Sequence, residues 1–223
     1  MSRGISGLIS RVRSRGFLFL VGIAFNRVVP PWLFRFQVFR IYRLKPPKSG
    51  DVQDEYQSDH VFQIAKADEI DDAARVTASM PPPDAVAWIA KNNSDTIGGL
   101  WLASTCFNEP ELGLRFQLSD NTRWLYSARV ARSHRRRGVY RSLLAAVLNS
   151  DSEKQFAAAI NPLNLASARA HRSFVDQELG RYAVARFLGM SICLSARGIK
   201  PNRRISWRCG FDPIVISIAC DER

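Results

Sequence analysis

Between Thr122 and Leu148 the chain passes from a strand pattern, through a turn of arginines around one glycine, straight into a helix pattern, and this junction restricts the folds open to the whole chain. Alternation across Thr122–Val130 puts Arg123, Leu125, Ser127 and Arg129 on one face and Trp124, Tyr126 and Ala128 on the other. Val139, Leu143, Leu144, Val147 and Leu148 then line one face of a helix. The first turn of such a helix has unpaired N–H groups and the positive end of the helix dipole, so the turn before it can cradle a phosphate or pyrophosphate. Gly138 lets a ligand approach the backbone closely, and the flanking arginines add charge. A solvated basic turn without a ligand fits the same pattern.

Around this junction the sequence predicts alternating strands and helices. Val61–Ala65 reads as a first strand, and Asp68 caps a helix reaching Ala78, with Ile70, Ala74 and Thr77 as its stripe. Met80–Asp84, with three prolines, is a loop. Ala85–Ala90 and Ile97–Ser104 form a hairpin around Lys91–Asp95. After the junction come a strand at Phe156–Ile160, a loop at Asn161–Leu163, a helix from Asn164 to about Val175, and strands near 182–194 and 205–218. Hairpins followed by a strand-helix-strand-helix unit imply a mixed α/β (α+β) protein with a central twisted sheet flanked by helices.

The net charge of +12 would suggest nucleic acid if it were spread evenly. It is not: residues 1–50 hold ten Arg or Lys and no Asp or Glu, whereas residues 51–223 hold 22 basic and 20 acidic residues. The division expected is a basic amphipathic extension at 1–50, a polar linker at 51–60 and one domain at 61–223. The extension's basic segment Arg3–Arg15, its apolar run 16–25 and the arginines interleaved through Phe36–Leu44 suit helices lying on an anionic membrane surface, through residues 1–48, or on another face of the same protein. Ten apolar residues are too few to span a bilayer, which takes about 20. The expected location is cytoplasmic, with the inner membrane face as a peripheral site. The Phe- and Trp-rich character of the arm argues against nucleic acid as its partner.

Cys106, Cys193, Cys209 and Cys220 form no C-x-x-C pair, and His60, His134 and His171 lie at no usual ligand spacing, so no metal is expected. The thiols read as small buried hydrophobes.

The stretch from Ser127 to Leu144 resembles the acetyl-CoA signature of the GNAT superfamily of N-acetyltransferases, Arg/Gln-x-x-Gly-x-Gly/Ala after a strand and opening a helix; Arg135 and Gly138 match, and Tyr140 replaces the last small residue. The resemblance implies that amides of Arg135, Arg136, Arg137, Gly138, Val139 and Tyr140 bind the pyrophosphate of acetyl-CoA. It also implies that the backbone at Val130 and Arg132 pairs with the pantetheine arm. Asn164, Ser167 and His171 are similar to the family's later motif and fall on one helical face at i, i+3 and i+7. There Asn164 and Ser167 would bond the cofactor, and His171 would stand where a general acid protonates the departing thiolate, unless it is packed or merely touches the cofactor. Phe174-Val175-Asp176 replaces the family's Leu-Gly-Phe, so the following strand is expected to be displaced.

The activity implied is transfer of acetyl from acetyl-CoA to a primary amine, on an amino sugar or another small molecule, by direct attack. No base can be assigned: the Thr122–Val130 strand has no carboxylate, and Glu109, Glu111 and Asp120 lie in the preceding loop, where they could act through water but are expected to be solvent-exposed. A GNAT-like module that binds CoA or a partner without turnover is the competing expectation.

Overall fold

The alternations and stripes of the sequence resolve into a large sheet and a small one packed on one of its faces, with the helix Val139–Asn149 on the opposite face. The computed structural model of the chain describes residues 16–30, 33–47, 63–66, 73–74, 77, 84–207 and 212–219. The expectations for Arg3–Arg15, Val61–Phe62, Asp68, Ile70, the linker 51–60, the prolines 81–83, Cys209 and Cys220 lie outside these residues. In chain order the elements are α1 (Phe17–Val28), β1 (Phe34–Leu44), β2 (Gln63–Lys66), β3 (Val86–Asn92), β4 (Asp95–Ala103), β5 (Cys106–Glu109), β6 (Leu114–Leu118) and β7 (Thr122–Val130). They continue with α2 (Val139–Asn149), β8 (Gln155–Ile160), α3 (Leu165–His171), β9 (Val175–Phe187), β10 (Met190–Gly198), β11 (Ile205–Ser206) and β12 (Ile214–Ile218).

The large sheet has the order β11-β10-β9-β1-β8-β7-β4-β3-β2, and within it β7 and β8 run parallel, joined by α2 as a crossover. The small sheet, β12-β6-β5, has β12 parallel to β6. The mixed α/β class read from the sequence is therefore the observed one.

Residue alternation sorts the core into two sides. On one side Leu100, Leu102, Leu125 and Phe156 meet the apolar face of α2, where Val139, Leu143, Leu144, Val147 and Leu148 are all buried as the stripe required. Full burial of such a side chain contributes roughly 1.5–3 kcal/mol. Gly98 lets α2 sit close, since a Cβ there would stand 3.2 Å from Val139 Cγ1. On the other side Phe39, Ile41, Trp124 and Tyr182 pack against Phe116, Ile214 and Ile216 of the small sheet. Trp101 on this side donates to Thr77 Oγ1 at 2.8 Å, docking the helical residues Ala73, Ala74 and Thr77.

Three expectations need correction. First, the boundary at residue 50 does not separate an arm from the sheet: Phe34–Leu44 is a strand, not an amphipathic helix, and lies inside the large sheet between β8 and β9, paired with both. Its basic residues meet acids of the same molecule: Arg35 with Glu111 (3.2 Å), Arg40 with Glu178 (3.6 Å), and Arg43 and Lys45 with Asp176 (2.7 and 2.5 Å). The alternating pattern of buried Phe39 and Ile41 was obscured by these arginines, whose charges are paired with acids of the same molecule while staying partly exposed at Arg40 and Arg43. Second, the helix from Asn164 ends at His171; a 3₁₀ turn over Arg172–Phe174 leads directly into β9, which starts at Val175. Third, residues 106–118, read as loop, form the β5–β6 hairpin.

Before β1, α1 exposes Phe17, Val21, Ile23, Phe25 and Val28. Among the described residues no helix is long and apolar enough to cross a membrane.

If β1 is integral to the sheet, Ile41→Ala, at a site with no exposed surface, will cost about 2–5 kcal/mol of unfolding free energy. Urea denaturation measures it, and a cost near zero is what a peripheral amphipathic segment would give.

Candidate functional site

The sheet opens where β7 and β8 part. Their parallel register holds from Thr122↔Gln155 to Leu125↔Ala158 and then stops. The cause is on β7: between the pairs Trp101↔Tyr126 and Gly99↔Arg129, β7 uses three steps where β4 uses two. The extra residue is a bulge at Ser127–Ala128, with Ser127 at φ 50. A bulge bends its strand and raises the local twist. Beyond it β7 stays with β4, as far as Gly98↔Val130, and β8 stays with β1, as far as Ile160↔Arg40. Tyr126–Val130 and Ala159–Ile160 are left as two edges with a gap between them and no ladder across it.

The basic turn sits at the end of this gap. Arg132–His134 forms a 3₁₀ turn, Arg136 adopts φ 66, and Gly138 is the left-handed N-cap of α2 at φ 77. No side chain caps α2, and its first turn holds no acid, so its positive end is not neutralised from within the helix. Arg132, Arg135, Arg136 and Arg137 are all exposed, while Val139 is buried in the core. The turn, the helix start and the gap are thus brought together at the C-terminal ends of the two parallel strands, where open sheets of this kind bind ligands. One member is already engaged: the Val130 carbonyl accepts from Arg135 Nε at 3.0 Å, and Ala131 donates to Ile97 at 2.7 Å.

The later motif lies beside α2. Asn164 Oδ1 accepts from the Ser167 amide at 3.3 Å, which makes it the N-cap of α3. Ser167 gives its carbonyl to His171 Nδ1 at 2.8 Å, and His171 Nε2 stands 2.6 Å from the Tyr140 hydroxyl. A carbonyl can only accept, so Nδ1 carries the proton and Nε2 accepts from Tyr140. Both ring nitrogens are thereby bonded within the protein, and the ring is buried. Burial holds the imidazole below its ordinary pKa, with the Ser167 carbonyl acting in the opposite direction. Tyr140, at the position where the GNAT signature has a small residue, is what engages the histidine. Its own pKa is raised by burial.

The other side of the sheet holds a residue that the sequence named but placed in solvent. A cavity of about 190 Å³ lies between β5–β6 and the large sheet, and its lining includes Tyr126 and Ala159, the first residues on the two diverging edges, together with Ser127. Phe107 and Glu109 point the same way along β5 by alternation, and both line it. Glu111 and Asp120 are exposed as expected, but Glu109 is half-buried, and burial first, with the Glu111 charge second, pushes its carboxyl up to about 7. The alternation of Leu114, Phe116 and Leu118 with Arg115 and Gln117 was the available signal for this hairpin.

Among the described residues no group of three His, Cys, Asp or Glu could hold a metal ion. Cys193 is buried, with its thiol pushed up to about 11 by burial, and Cys106 is half-buried.

No protein-family model matches the sequence, and no curated protein does. Solved structures with partial likeness include a conserved protein of unknown function from Staphylococcus epidermidis (TM-score 0.46, 15% identity, 69% of this chain and 62% of that one). A GCN5-related N-acetyltransferase from Kribbella flavida gives 0.43 at 13% identity, over 74% of this chain and 61% of that one. A GNAT-family acetyltransferase from Novosphingobium aromaticivorans gives 0.46 at 10% identity, over 71% and 68%. The chain thus spans under two thirds of the length of the first two. What it can do is decided by its own residues.

Because His171 is held below the unfolded value of 6.5, the unfolded chain takes up the proton first on acidification. Its stabilising contribution is complete above about pH 6.5 and declines below it. The urea midpoint of the wild type will therefore fall more steeply below about pH 6.5 than that of His171→Gln. Tyr140→Phe, which leaves Nε2 buried without a donor, will cost about 1–3 kcal/mol at neutral pH.

Proposed function

We propose that the chain is an acyl-CoA-dependent N-acyltransferase that transfers acetyl from acetyl-CoA to a primary amine by direct attack. The observation that carries this reading is the gap between β7 and β8, ending at the uncapped, arginine-flanked start of α2. A pyrophosphate needs N–H donors and positive charge at a helix start, and a pantetheine arm, which carries amides, needs free strand edges to pair with. The turn at Arg135–Tyr140 answers the first need, and the edge at Ser127–Val130 the second.

On this reading the thioester enters the gap from the α2 side, and the amine meets it from the cavity on the other side. The bound ammonium loses one proton, the freed lone pair forms the C–N bond as the C–S bond breaks, and the nitrogen's second surplus proton passes to the departing thiolate, which leaves as the free thiol. Glu109 lines the cavity with a carboxyl near neutrality, and it is the group we assign to accept the amine's proton. Both nitrogens of His171 are engaged, so we assign it to positioning Tyr140 and α3, and it is not assigned as the acid. Asn164 and Ser167 shape the α3 start beside the cofactor path. The arginines at 132, 135, 136 and 137 add charge around the pyrophosphate.

Isothermal titration with acetyl-CoA tests the reading. Gly138→Asp is the informative variant, because Asp tolerates the left-handed conformation better than most residues while adding a negative charge where the pyrophosphate would lie. Micromolar binding by the wild type, weakened at least tenfold in a variant that melts cooperatively, is the expected result. No binding by folded wild type overturns it. Binding without product from any amine leaves a CoA-binding module instead.

For the extension, the ion pairs of β1 confine a membrane role to residues 1–30, which carry Arg3, Arg11, Arg13, Arg15 and Arg27 and the exposed apolar residues of α1. Co-sedimentation with vesicles containing an anionic lipid is expected for the full chain and lost on removing residues 1–30. Vesicles of neutral lipid alone should leave it in solution.

A further inference from the structure

The cavity under the β5–β6 hairpin has a composition that selects among amines. Its walls are Phe39, Phe107, Phe116, Trp124 and Tyr126, together with three leucines. The rings are mutually ordered: Phe107 lies 4.5 Å from Tyr126 and Phe116 stacks on Trp124 at 4.6 Å between centroids. Among the lining residues Glu109 is the one charged group, and no basic side chain is present. Polar side-chain capacity is otherwise limited to Gln37, Ser127, the Trp124 N–H and the Tyr126 hydroxyl, a buried atom with no hydrogen-bond partner among the described residues.

We propose that this cavity takes a small primary ammonium carried on a flat apolar body, held by the aromatic walls and the Glu109 carboxylate, and that it does not take a polyhydroxylated amino sugar. Aromatic faces attract a cation within about 6 Å of the ring centroid, more strongly when water is excluded. A sugar would bring four or more hydroxyls into walls that are mostly hydrocarbon, and each one buried without a hydrogen-bond partner opposes binding. The volume of about 190 Å³ is below the roughly 300–1,000 Å³ of drug-sized sites, which limits the body to about a single ring.

Three further features agree. Glu109's carboxyl stands above its ordinary range because it is buried and close to Glu111, so a cationic ligand would find a carboxylate lacking a counter-charge inside the cavity. Glu111 itself is held by Arg35 outside the lining. Asp84 acts on Tyr126 as well, raising its pKa after burial has done so, and adds to the negative potential on this side of the sheet. The proposal rests on the acyltransferase reading for its role as an acceptor site, but the binding it predicts does not need the cofactor.

Phenethylamine, 2-phenylethanol and glucosamine are suitable probes, titrated separately into the full chain with acetyl-CoA binding measured in parallel. Phenethylamine is expected to bind, the neutral alcohol at least tenfold more weakly, and glucosamine more weakly again. Glu109→Gln should weaken phenethylamine at least tenfold, and Phe107→Ala should weaken the amine and the alcohol alike. Both variants should keep wild-type affinity for acetyl-CoA, which reports that the sheet is intact. Glucosamine binding as tightly as phenethylamine, or Glu109→Gln leaving phenethylamine affinity unchanged, would overturn the proposal. Phenethylamine binding that depends on Glu109 without any acetyl-CoA binding would uphold the cavity and sink the acyltransferase reading. Acetyl-CoA binding with no phenethylamine binding would do the reverse.

Discussion

One extra residue on β7 sets the geometry of the molecule. A parallel pair normally continues until one strand ends, because each buried N–H and C=O left without a partner is costly. Here the bulge at Ser127–Ala128 turns β7 toward β4 and away from β8 while both strands still have residues to pair. The separation is tolerable because each strand has a second neighbour: β4 holds the far edge of β7, and β1 holds the far edge of β8. Without β1, β8 would be an edge strand past Ala158 as well as a diverging one.

This gives the strand Phe34–Leu44 a purpose that its sequence position hides. It comes from before the first hairpin, yet it closes the sheet between β8 and β9, pairing with residues some 110 to 150 positions later in the chain. Ordering such a strand requires closing a long loop, a cost that grows slowly with length. Full burial of Ile41 and Phe39 offsets that cost, and so do the ion pairs from Arg40, Arg43 and Lys45 to the acids of β9. The paired charges are partly exposed, so their contribution is small. Their effect is on register: a two-residue slip would take Arg43 away from Asp176.

What was legible in the sequence was what local pattern determines. The α2 stripe, the β3–β4 hairpin and the β7 alternation as far as Tyr126 follow from periodicities of 3.6 and 2 within a dozen residues, whereas the bulge at Ser127–Ala128 breaks the alternation expected beyond it. What was not legible depends on partners far away. Arg35, Arg40 and Arg43 looked like the polar face of a surface helix because the acids that neutralise them stand at 111, 176 and 178. The β5–β6 hairpin carried a visible alternation, but the Pro110–Gly113 turn and the adjacent acids suggested a loop. In the candidate site the turn around Gly138 could be read directly, since a helix start is a local object. The engagement of His171 could not: spacing set it on the face of Asn164 and Ser167, but only the crossing of α3 with α2 puts the Tyr140 hydroxyl on its free nitrogen.

The same sheet keeps two kinds of charge apart. On the α2 side the arginines around Gly138 and the open helix start make a positive surface, while on the other side Glu109 is the charged group of an otherwise apolar, aromatic cavity. Mobile ions screen exposed charges beyond about 8–10 Å, so each set acts mainly on a ligand that approaches from its own side of the sheet. On the reading proposed above, an anionic donor would approach from one side and a cationic acceptor from the other, and the gap lined by Ser127 and Ala159 is where they would meet. The bulge at Ser127–Ala128, where Ser127 adopts φ 50, is the feature that opens this gap, because it turns β7 away from β8 while β4 still holds its other edge.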